Sequence, residues 1–229
     1  MEQLLEYPAN GRSANGYLAV PASGAGPGVI VVQEWWGLVD HIKDVCDRLA
    51  REGFVALAPD LYHGQATRSP DEAGKLFMAL NIAKAGADLR GAADALLARS
   101  EVTTQRVAVL GFCMGGQLAL YAGTEFPDRF AAVVDFYGAH SNVRIDPARL
   151  RVPVLAHFGK RDNSLKESDA RALVERIQAA GGDIEAHFYD AEHAFFNDSR
   201  PTVYDKASAR KAWERTLEFL RKHLSERSA

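Results

Sequence analysis

Short apolar runs alternate along the chain with longer stretches in which apolar residues recur at helical spacing. The runs rich in β-branched residues are Gly28–Gln33, Phe54–Ala58, Arg106–Gly111, Ala131–Tyr137, Pro153–Phe158 and Ile184–Tyr189. The helical stretches are Leu38–Glu52, Pro70–Arg99, Gly115–Phe126, Glu167–Ala180 and Val203–Leu224. This alternation predicts βαβ units and a mostly parallel central sheet flanked by helices, which is the α/β fold class.

Three further details define the predicted domain. Gly28–Val32 is almost continuously apolar, which predicts a strand covered on both faces. Tyr17–Val20 predicts an earlier strand, antiparallel and near an edge of the sheet. The segment Ala22–Pro27 is too short for a linker between domains, and the sequence shows no internal repeat. We therefore predict a single domain over residues 1–229.

The composition disfavours several classes of protein. Of the 229 residues, 47% are apolar and 25% are charged, as in soluble globular proteins. The formal net charge of −3 does not indicate nucleic acid or an anionic membrane surface as a partner. The N-terminus lacks the pattern of a signal peptide, and every apolar run is shorter than a membrane span. Cys46 and Cys113 form no disulfide framework, so we expect a cytoplasmic protein in which Cys46 has a packing role.

The segment Gly111–Gly116, which follows a central apolar run, carries the strongest signal for chemistry. Its pattern G-x-C-x-G-G is the cysteine version of the nucleophile elbow. Side chains at Gly111 and Gly115 would collide in so sharp a turn, which leaves Cys113 at the tip as the candidate nucleophile. The amide of Met114 would lie at a helix N-terminus, where it can donate to an oxyanion. The alternative is a buried structural cysteine in a glycine-rich turn.

An aspartate and a histidine follow the last two predicted strands. His193 is the candidate base, and Asp162 is the candidate residue that orients its ring. The chain order of nucleophile, acid and histidine is that of α/β-hydrolases. Asp135 and Asp190 remain alternatives as the orienting acid, and His140 follows a strand and is a candidate for the pocket lining.

Five motifs occur in a familiar order over nearly the whole chain. They are Gln33–Gly37, Ala58–Tyr62, Gly111–Gly116, Gly159–Asp162 and Glu192–Phe195. Together they resemble the dienelactone hydrolase family. The resemblance implies an α/β-hydrolase fold without a cap domain, no cofactor and no metal, and a catalytic triad formed by Cys113, Asp162 and His193.

The resemblance also assigns a role to Glu34. In the family, a glutamate at this position keeps the thiol neutral until substrate arrives. A carboxylate opposes thiolate formation beside it because a neighbouring like charge raises the pKa of the thiol, and cysteine reacts as the thiolate. The alternative is an exposed loop acid. Trp35 follows in the same loop, and its amide is the candidate second oxyanion donor.

The predicted substrate pocket is aromatic. Trp36, Tyr137 and Phe195 are its candidate lining residues, although aromatic residues are also common in cores. In the family, arginines bind the carboxylate of the substrate, and one of them lies four residues after the catalytic histidine. Asn197 occupies that position here and is counted with the pocket, and no arginine pair is evident. An anionic lactone is therefore less well explained than a neutral one.

The residues and the resemblance together predict a hydrolase of small esters or lactones that works through an acyl-enzyme intermediate. A thioesterase or another acyl hydrolase is one alternative, and a non-catalytic thiol sensor on the same fold is another. The complete triad disfavours the sensor, since a sensor needs no Asp–His pair. We expect a small-molecule ester or lactone as the partner, no nucleic acid or membrane, and a monomer or weak homodimer.

Overall fold

The computed structural model describes residues 3–140 and 142–224, which contain an eight-stranded sheet. The strands are β1 (Gln3–Ala9), β2 (Arg12–Ala19), β3 (Gly28–Val32), β4 (Val55–Pro59), β5 (Val107–Phe112), β6 (Phe130–Phe136), β7 (Val154–Gly159) and β8 (Ile184–Tyr189). Their order across the sheet is β1-β2-β4-β3-β5-β6-β7-β8. Pairing is antiparallel for β1 with β2 and for β2 with β4, and parallel from β4 to β8. The mostly parallel sheet is confirmed.

Helices cover both faces of this sheet. In the described residues they are α1 (Asp40–Arg51), α2 (Pro70–Ala79), α3 (Ile82–Leu97), α4 (Met114–Glu125), α5 (Glu167–Ala179) and α6 (Lys206–His223). Val29 and Val31 pack in one core with α1 and α6, whereas Ile30 and Val32 pack in the other with α3, α4 and α5. Side chains alternate across a strand, so β3 is apolar throughout because both of its faces are buried. No helix in these described ranges is long and apolar enough to cross a membrane.

The N-terminal part of the sheet has one strand more than predicted. Most of Tyr17–Val20 lies in β2, which is antiparallel and next to the edge strand β1, so the prediction of an antiparallel strand near an edge is confirmed. The two strands form a hairpin whose turn residues, Asn10 and Gly11, have φ values of 52° and 73°. Positive φ at both positions suits a type I′ turn, for which Asn-Gly is the preferred sequence. β1 was not predicted because Pro8 interrupts its short apolar pattern.

The helical stretch predicted over Pro70–Arg99 is instead two helices, α2 and α3. Leu80 and Asn81 between them have extended backbones. The side chain of Asn81 accepts a hydrogen bond from the amide of Lys84 at 3.0 Å and so caps the N-terminus of α3. Apolar periodicity does not detect this break, because only two residues separate two helices of similar spacing.

The carboxyl ends of the parallel strands bring the predicted site residues to one edge of the sheet. Glu34 follows β3, Cys113 follows β5, Tyr137 follows β6, Asp162 follows β7 and His193 follows β8. Open parallel sheets bind their ligands at this edge. Residues that are far apart in sequence therefore meet there.

Candidate active site

Cys113 lies at the tip of a sharp turn between β5 and α4. Its backbone has φ 54° and ψ −120°, a conformation that costs a residue other than glycine about 1–3 kcal/mol. A Cβ atom on Gly111 would lie 2.0 Å from the carbonyl oxygen of Gly115, and one on Gly115 would lie 2.4 Å from that of Gln33. Both contacts are impossible for carbon and oxygen. The prediction that the turn requires glycine at both flanks is confirmed.

Gly115→Ala should destabilise the protein by about 2–4 kcal/mol, because its Cβ would collide with backbone atoms that cannot rotate away. Gly74→Ala is the matched control, since a Cβ there meets no atom within 4 Å and α2 would gain a better helix former. Urea unfolding of the two variants beside the wild type measures the difference. Equal stability of the two variants would contradict the packing of this turn.

His193 and Asp162 form a hydrogen-bonded pair. The Nδ1 atom of His193 is 2.6 Å from Oδ2 of Asp162. The other carboxylate oxygen of Asp162 accepts from the amides of Ser164 and Leu165, both at 2.7 Å. These backbone donors fix the carboxylate, so the carboxylate can fix the imidazole. The ring of Tyr137 supports the same imidazole at a centroid distance of 5.0 Å.

The ring of His193 also has a hydrogen bond to the side chain of Cys113. Burial alone would lower the pKa of His193, but the interactions with Asp162 and Cys113 outweigh it and raise that pKa to about 10. The sequence order of nucleophile, acid and histidine thus corresponds to one continuous hydrogen-bonded chain. In this arrangement His193 can hold the proton of the thiol while Asp162 stabilises the resulting imidazolium.

The alternative acids occupy other environments. Asp190 is exposed and pairs with Arg161 at 3.1 Å. Asp135 is fully buried, and one of its oxygens accepts from the amide of Gly138 at 2.8 Å. Neither contact involves His193, so the geometry favours Asp162 as the orienting acid.

Asp135→Asn should change how stability depends on pH. Burial raises the pKa of Asp135 well above its ordinary value, so its contribution to stability is complete below about pH 4 and is lost as the pH rises through the folded-state pKa. Asparagine keeps an acceptor for Gly138 and carries no charge. The free energy of unfolding of the variant minus that of the wild type should therefore increase with pH, by at most about 1.4 kcal/mol per unit.

Denaturant unfolding between pH 4 and pH 8 measures this difference. Asp190→Asn provides the matched control, because it makes the same substitution at an exposed carboxyl. Parallel stability profiles for Asp135→Asn and the wild type would show that Asp135 is charged in the folded protein.

Glu34 is 1% exposed and faces the interior of the site. Its Oε2 accepts a hydrogen bond from the side-chain amide of Asn197 at 3.1 Å. Burial raises the pKa of Glu34, and His193, Arg200 and Asn197 oppose that rise. The alternative of an exposed loop acid is wrong. Asn197 therefore acts as a support for Glu34.

The two residues whose amides are the predicted oxyanion donors line the same cavity as Cys113. Met114 is the first residue of α4, directly after Cys113. Trp35 follows Glu34 in the loop after β3, and all four residues line the same cavity. A helix N-terminus favours negative charge, which is the charge that develops on a carbonyl oxygen under attack.

This cavity has a volume of about 420 Å³, enough for a small organic molecule. Its wall consists of Glu34, Trp35, Trp36, Phe77, Cys113, Met114, His140, Asn163, Ser164, Glu192, His193, Arg200 and Val203. Trp36 and His140 therefore lie where the sequence placed them. Tyr137, Phe195 and Asn197 were also predicted to line the pocket. The structure corrects this, because all three are buried beneath the wall. Tyr137 and Phe195 pack against each other in the core, with ring centroids 5.5 Å apart.

Arg200 is a charged residue of the wall that sequence analysis missed. Its guanidinium lies 5.9 Å from the ring centroid of Trp36, and its charge acts on the pKa values of both Glu34 and Tyr137. It follows His193 by more residues than the arginine expected from the family, whose position is occupied by Asn197. The turn that follows His193 brings the guanidinium of Arg200 to the cavity, and the path of this turn is seen in the structure and not in the sequence.

The parallel sheet and the strand–turn–helix around Cys113 define the class of protein, which is the α/β-hydrolase fold. A crystal structure of a candidate dienelactone hydrolase from Klebsiella pneumoniae is similar over 97% of this chain and 98% of that chain, with a TM-score of 0.88 and 31% identity.

Comparison with protein families identifies the group within this class. The family model for the dienelactone hydrolase family matches residues 14–224. Protein usf of Aquifex pyrophilus is 37% identical over 98% of this chain and 100% of its own length. A protein of Aquifex aeolicus named as a candidate carboxymethylenebutenolidase is 34% identical with the same coverage of both chains, 98% and 100%. The chain belongs to the dienelactone hydrolase family.

Proposed function

We propose that the protein hydrolyses small carboxylic esters or lactones through an acyl-enzyme formed on Cys113. The observation that carries the proposal is the hydrogen-bonded chain from Asp162 through His193 to Cys113, with the thiol in the wall of a small cavity. Family membership supports the same class of reaction. The named activity of the relatives, carboxymethylenebutenolidase, is itself the opening of a lactone.

The first half-reaction forms a thioester. His193 takes the proton of the thiol, and Sγ of Cys113 attacks the carbonyl carbon. The carbonyl oxygen becomes an oxyanion that the amides of Met114 and Trp35 stabilise. When the C=O bond re-forms, the bond to the leaving oxygen breaks, and that oxygen receives the proton from His193. In a lactone the leaving alcohol stays attached to the acyl group.

The second half-reaction restores the thiol. A water molecule attacks the thioester carbon while His193 accepts one of its protons. The tetrahedral intermediate uses the same two amides and collapses with cleavage of the C–S bond. The sulfur recovers a proton from His193, and the acid product leaves as a carboxylate. The sum is one ester or lactone and one water consumed, with no external reductant or oxidant.

The charges in the cavity explain how Glu34 would control this chemistry. When His193 has taken the proton of the thiol, its imidazolium and Arg200 supply two positive charges. The carboxylate of Asp162 accepts hydrogen bonds from two backbone amides and is paired with His193, and its negative charge balances one of these positive charges. Glu34 and Cys113 are left to share the second negative charge, so ionisation of either one opposes that of the other. We propose that Glu34 keeps the resting thiol protonated.

Arg200 extends the proposal to the substrate. A guanidinium in the wall of the cavity can bind a carboxylate through paired charge-assisted hydrogen bonds. The family binds such carboxylates with arginines at other positions, and Arg200 supplies the cation that Asn197 does not. We propose that an ester or lactone bearing a carboxylate is preferred to a neutral one.

The function is tested with a panel of chromogenic esters, thioesters and lactones, with and without a carboxylate. Wild-type protein should hydrolyse esters or lactones with saturable kinetics. If only the thioesters react, the protein is a thioesterase and the proposal is wrong. Absence of turnover on every substrate would contradict it.

Arg200→Gln should raise the KM for a carboxylate-bearing ester by about 10- to 100-fold, because one charge-assisted interaction is worth about 1.5–3 kcal/mol. The neutral ester with the same leaving group should be affected much less. Arg176→Gln removes the same charge from an exposed arginine outside the wall of the active-site cavity and is the control. An equal loss on both substrates would assign Arg200 a structural role and remove the carboxylate preference.

A further inference from the structure

The active-site cavity extends across the edge of the sheet, from one layer of helices to the other. Phe77, in its wall, belongs to the core formed with α3, α4 and α5. Val203, in the same wall, packs against the core formed with α1 and α6, and its amide donates to the carbonyl oxygen of Arg200. The ring of His140 contacts that of Phe77, with centroids 4.5 Å apart. His140 and Arg200 therefore lie toward opposite faces of the sheet.

A hydrogen-bonded turn holds His140 in this position. Its carbonyl oxygen accepts from the amide of Val143 at 3.1 Å. The carbonyl oxygen of Val143 in turn accepts from the side-chain amide of the buried Gln117, in α4, at 2.8 Å. Phe77 supports the imidazole from α2, with the two rings nearly perpendicular at 85°. The side chain is thus placed before any ligand arrives, which lowers the entropic cost of binding to it.

The hydrogen bond at one nitrogen of the imidazole determines which nitrogen bears the proton. Nδ1 of His140 accepts from the backbone amide of Asn142 at 3.2 Å. A backbone amide nitrogen can only donate, so Nδ1 carries no hydrogen and the neutral ring has its proton on Nε2. Burial lowers the pKa of His140, which favours the same neutral form at neutral pH.

The N–H group at Nε2 is available to a ligand. Among residues 3–140 and 142–224 this nitrogen has no hydrogen-bond partner, and it is accessible to solvent. His140 is half-buried and lines both the active-site cavity and a neighbouring cavity of about 750 Å³. The ring therefore offers one open donor beside the space that a substrate occupies. The proposed hydrolysis has not used this donor.

We propose that His140 determines specificity by donating a hydrogen bond from Nε2 to an uncharged oxygen of the substrate. This oxygen, of an ether, hydroxyl or carbonyl group, belongs to the part of the ester or lactone on the α3, α4 and α5 side of the cavity. A neutral N–H donor suits a neutral acceptor, whereas the guanidinium of Arg200 on the other side suits a carboxylate. The inference rests on the proposed function, because it concerns the substrate of that reaction.

The test uses two pairs of esters in which an ether oxygen replaces a methylene group. The p-nitrophenyl esters of butanoic and methoxyacetic acid vary the acyl part, and propyl and 2-methoxyethyl acetate vary the alcohol part. The preference, defined as kcat/KM of the oxygenated ester over that of the alkyl ester, is compared between the wild type and His140→Phe, so intrinsic reactivity cancels. For at least one pair the variant should lose about two- to tenfold of this preference, mainly through KM, as expected for one neutral hydrogen bond away from the reacting bond.

Two further variants separate this role from a structural one. His140→Gln retains a side-chain N–H donor and should keep most of the preference. His223→Phe makes the control substitution beside Phe219, outside the walls of both cavities, and should leave the preference unchanged.

The outcomes distinguish this inference from the proposed function. If wild type and His140→Phe show the same preference on both pairs, or if the variant loses activity equally on all four esters, His140 does not select the substrate, although the protein is still a hydrolase. Wild-type protein that is inactive on all four esters would contradict the role of His140. Inactivity on the whole panel of esters, thioesters and lactones would contradict the proposed function as well.

Discussion

Cys113→Ala is expected to abolish hydrolysis of every ester and lactone while the protein remains folded. The side chain is half-buried at the tip of the elbow, and its thiol is the only part of it that the proposed mechanism uses. Alanine removes the nucleophile and leaves the backbone turn, the amide of Met114 and the His193–Asp162 pair in place. Loss of a catalytic nucleophile costs several orders of magnitude in kcat, roughly 10⁴ or more.

The chain offers its own control for this experiment. Cys46→Ala makes the same truncation at a thiol that is completely buried in α1. It should lower the free energy of unfolding through the lost packing and leave kcat of the folded enzyme unchanged. Turnover by purified Cys113→Ala within tenfold of the wild type would contradict the nucleophile. Loss of activity in both cysteine variants would point to misfolding, which circular dichroism and urea unfolding would detect.

The sequence predicted those parts of the molecule in which local pattern and tertiary role coincide. The strands from β3 to β7 are mostly apolar because they are buried, so their composition alone identifies them. The glycines around Cys113 are required by backbone contacts inside one short turn, and that requirement is visible as a motif. His193 and Asp162 were found because each lies a few residues beyond a strand, where the sheet itself brings them together.

The remaining parts depend on long-range packing that spacing does not encode. Tyr137 and Phe195 look like pocket residues because they follow strands, but both rings turn inward and form part of the core. Asn197 departs from the family pattern, yet its amide has a definite partner, Glu34. Arg200 could be assigned to the cavity only from the path of the turn that precedes α6.

The β1–β2 hairpin was not predicted for a different reason. Asn10 and Gly11 are a strong local signal for a two-residue hairpin turn. This turn signal predicts a hairpin, and therefore β1, even though Pro8 interrupts the apolar run.

Glu34→Gln should make Cys113 far more reactive toward iodoacetamide at neutral pH. Glu34 is buried, and its charge competes with that of the thiolate for the cations His193 and Arg200. A neighbouring charge changes a pKa by about 1–3 units, so the thiolate fraction should rise by about ten- to a thousandfold below the thiol pKa. Glutamine keeps an oxygen that can accept the hydrogen bond from Asn197. The substitution therefore removes the charge and preserves the contact.

The alkylation rate measured against pH is the decisive observation, because it gives the midpoint of the thiol titration independently of turnover. In Glu34→Gln the midpoint should move to lower pH, and hydrogen peroxide should oxidise the thiol faster. The rate gain at the plateau is smaller than the gain in thiolate, since nucleophilicity falls with the pKa of the thiol. Glu192→Gln makes the same change at an exposed acid of the same cavity and should leave the curve in place. If the midpoints of wild type and Glu34→Gln coincide, the carboxylate does not control Cys113, and Glu34 serves only to fix Asn197 within the loop.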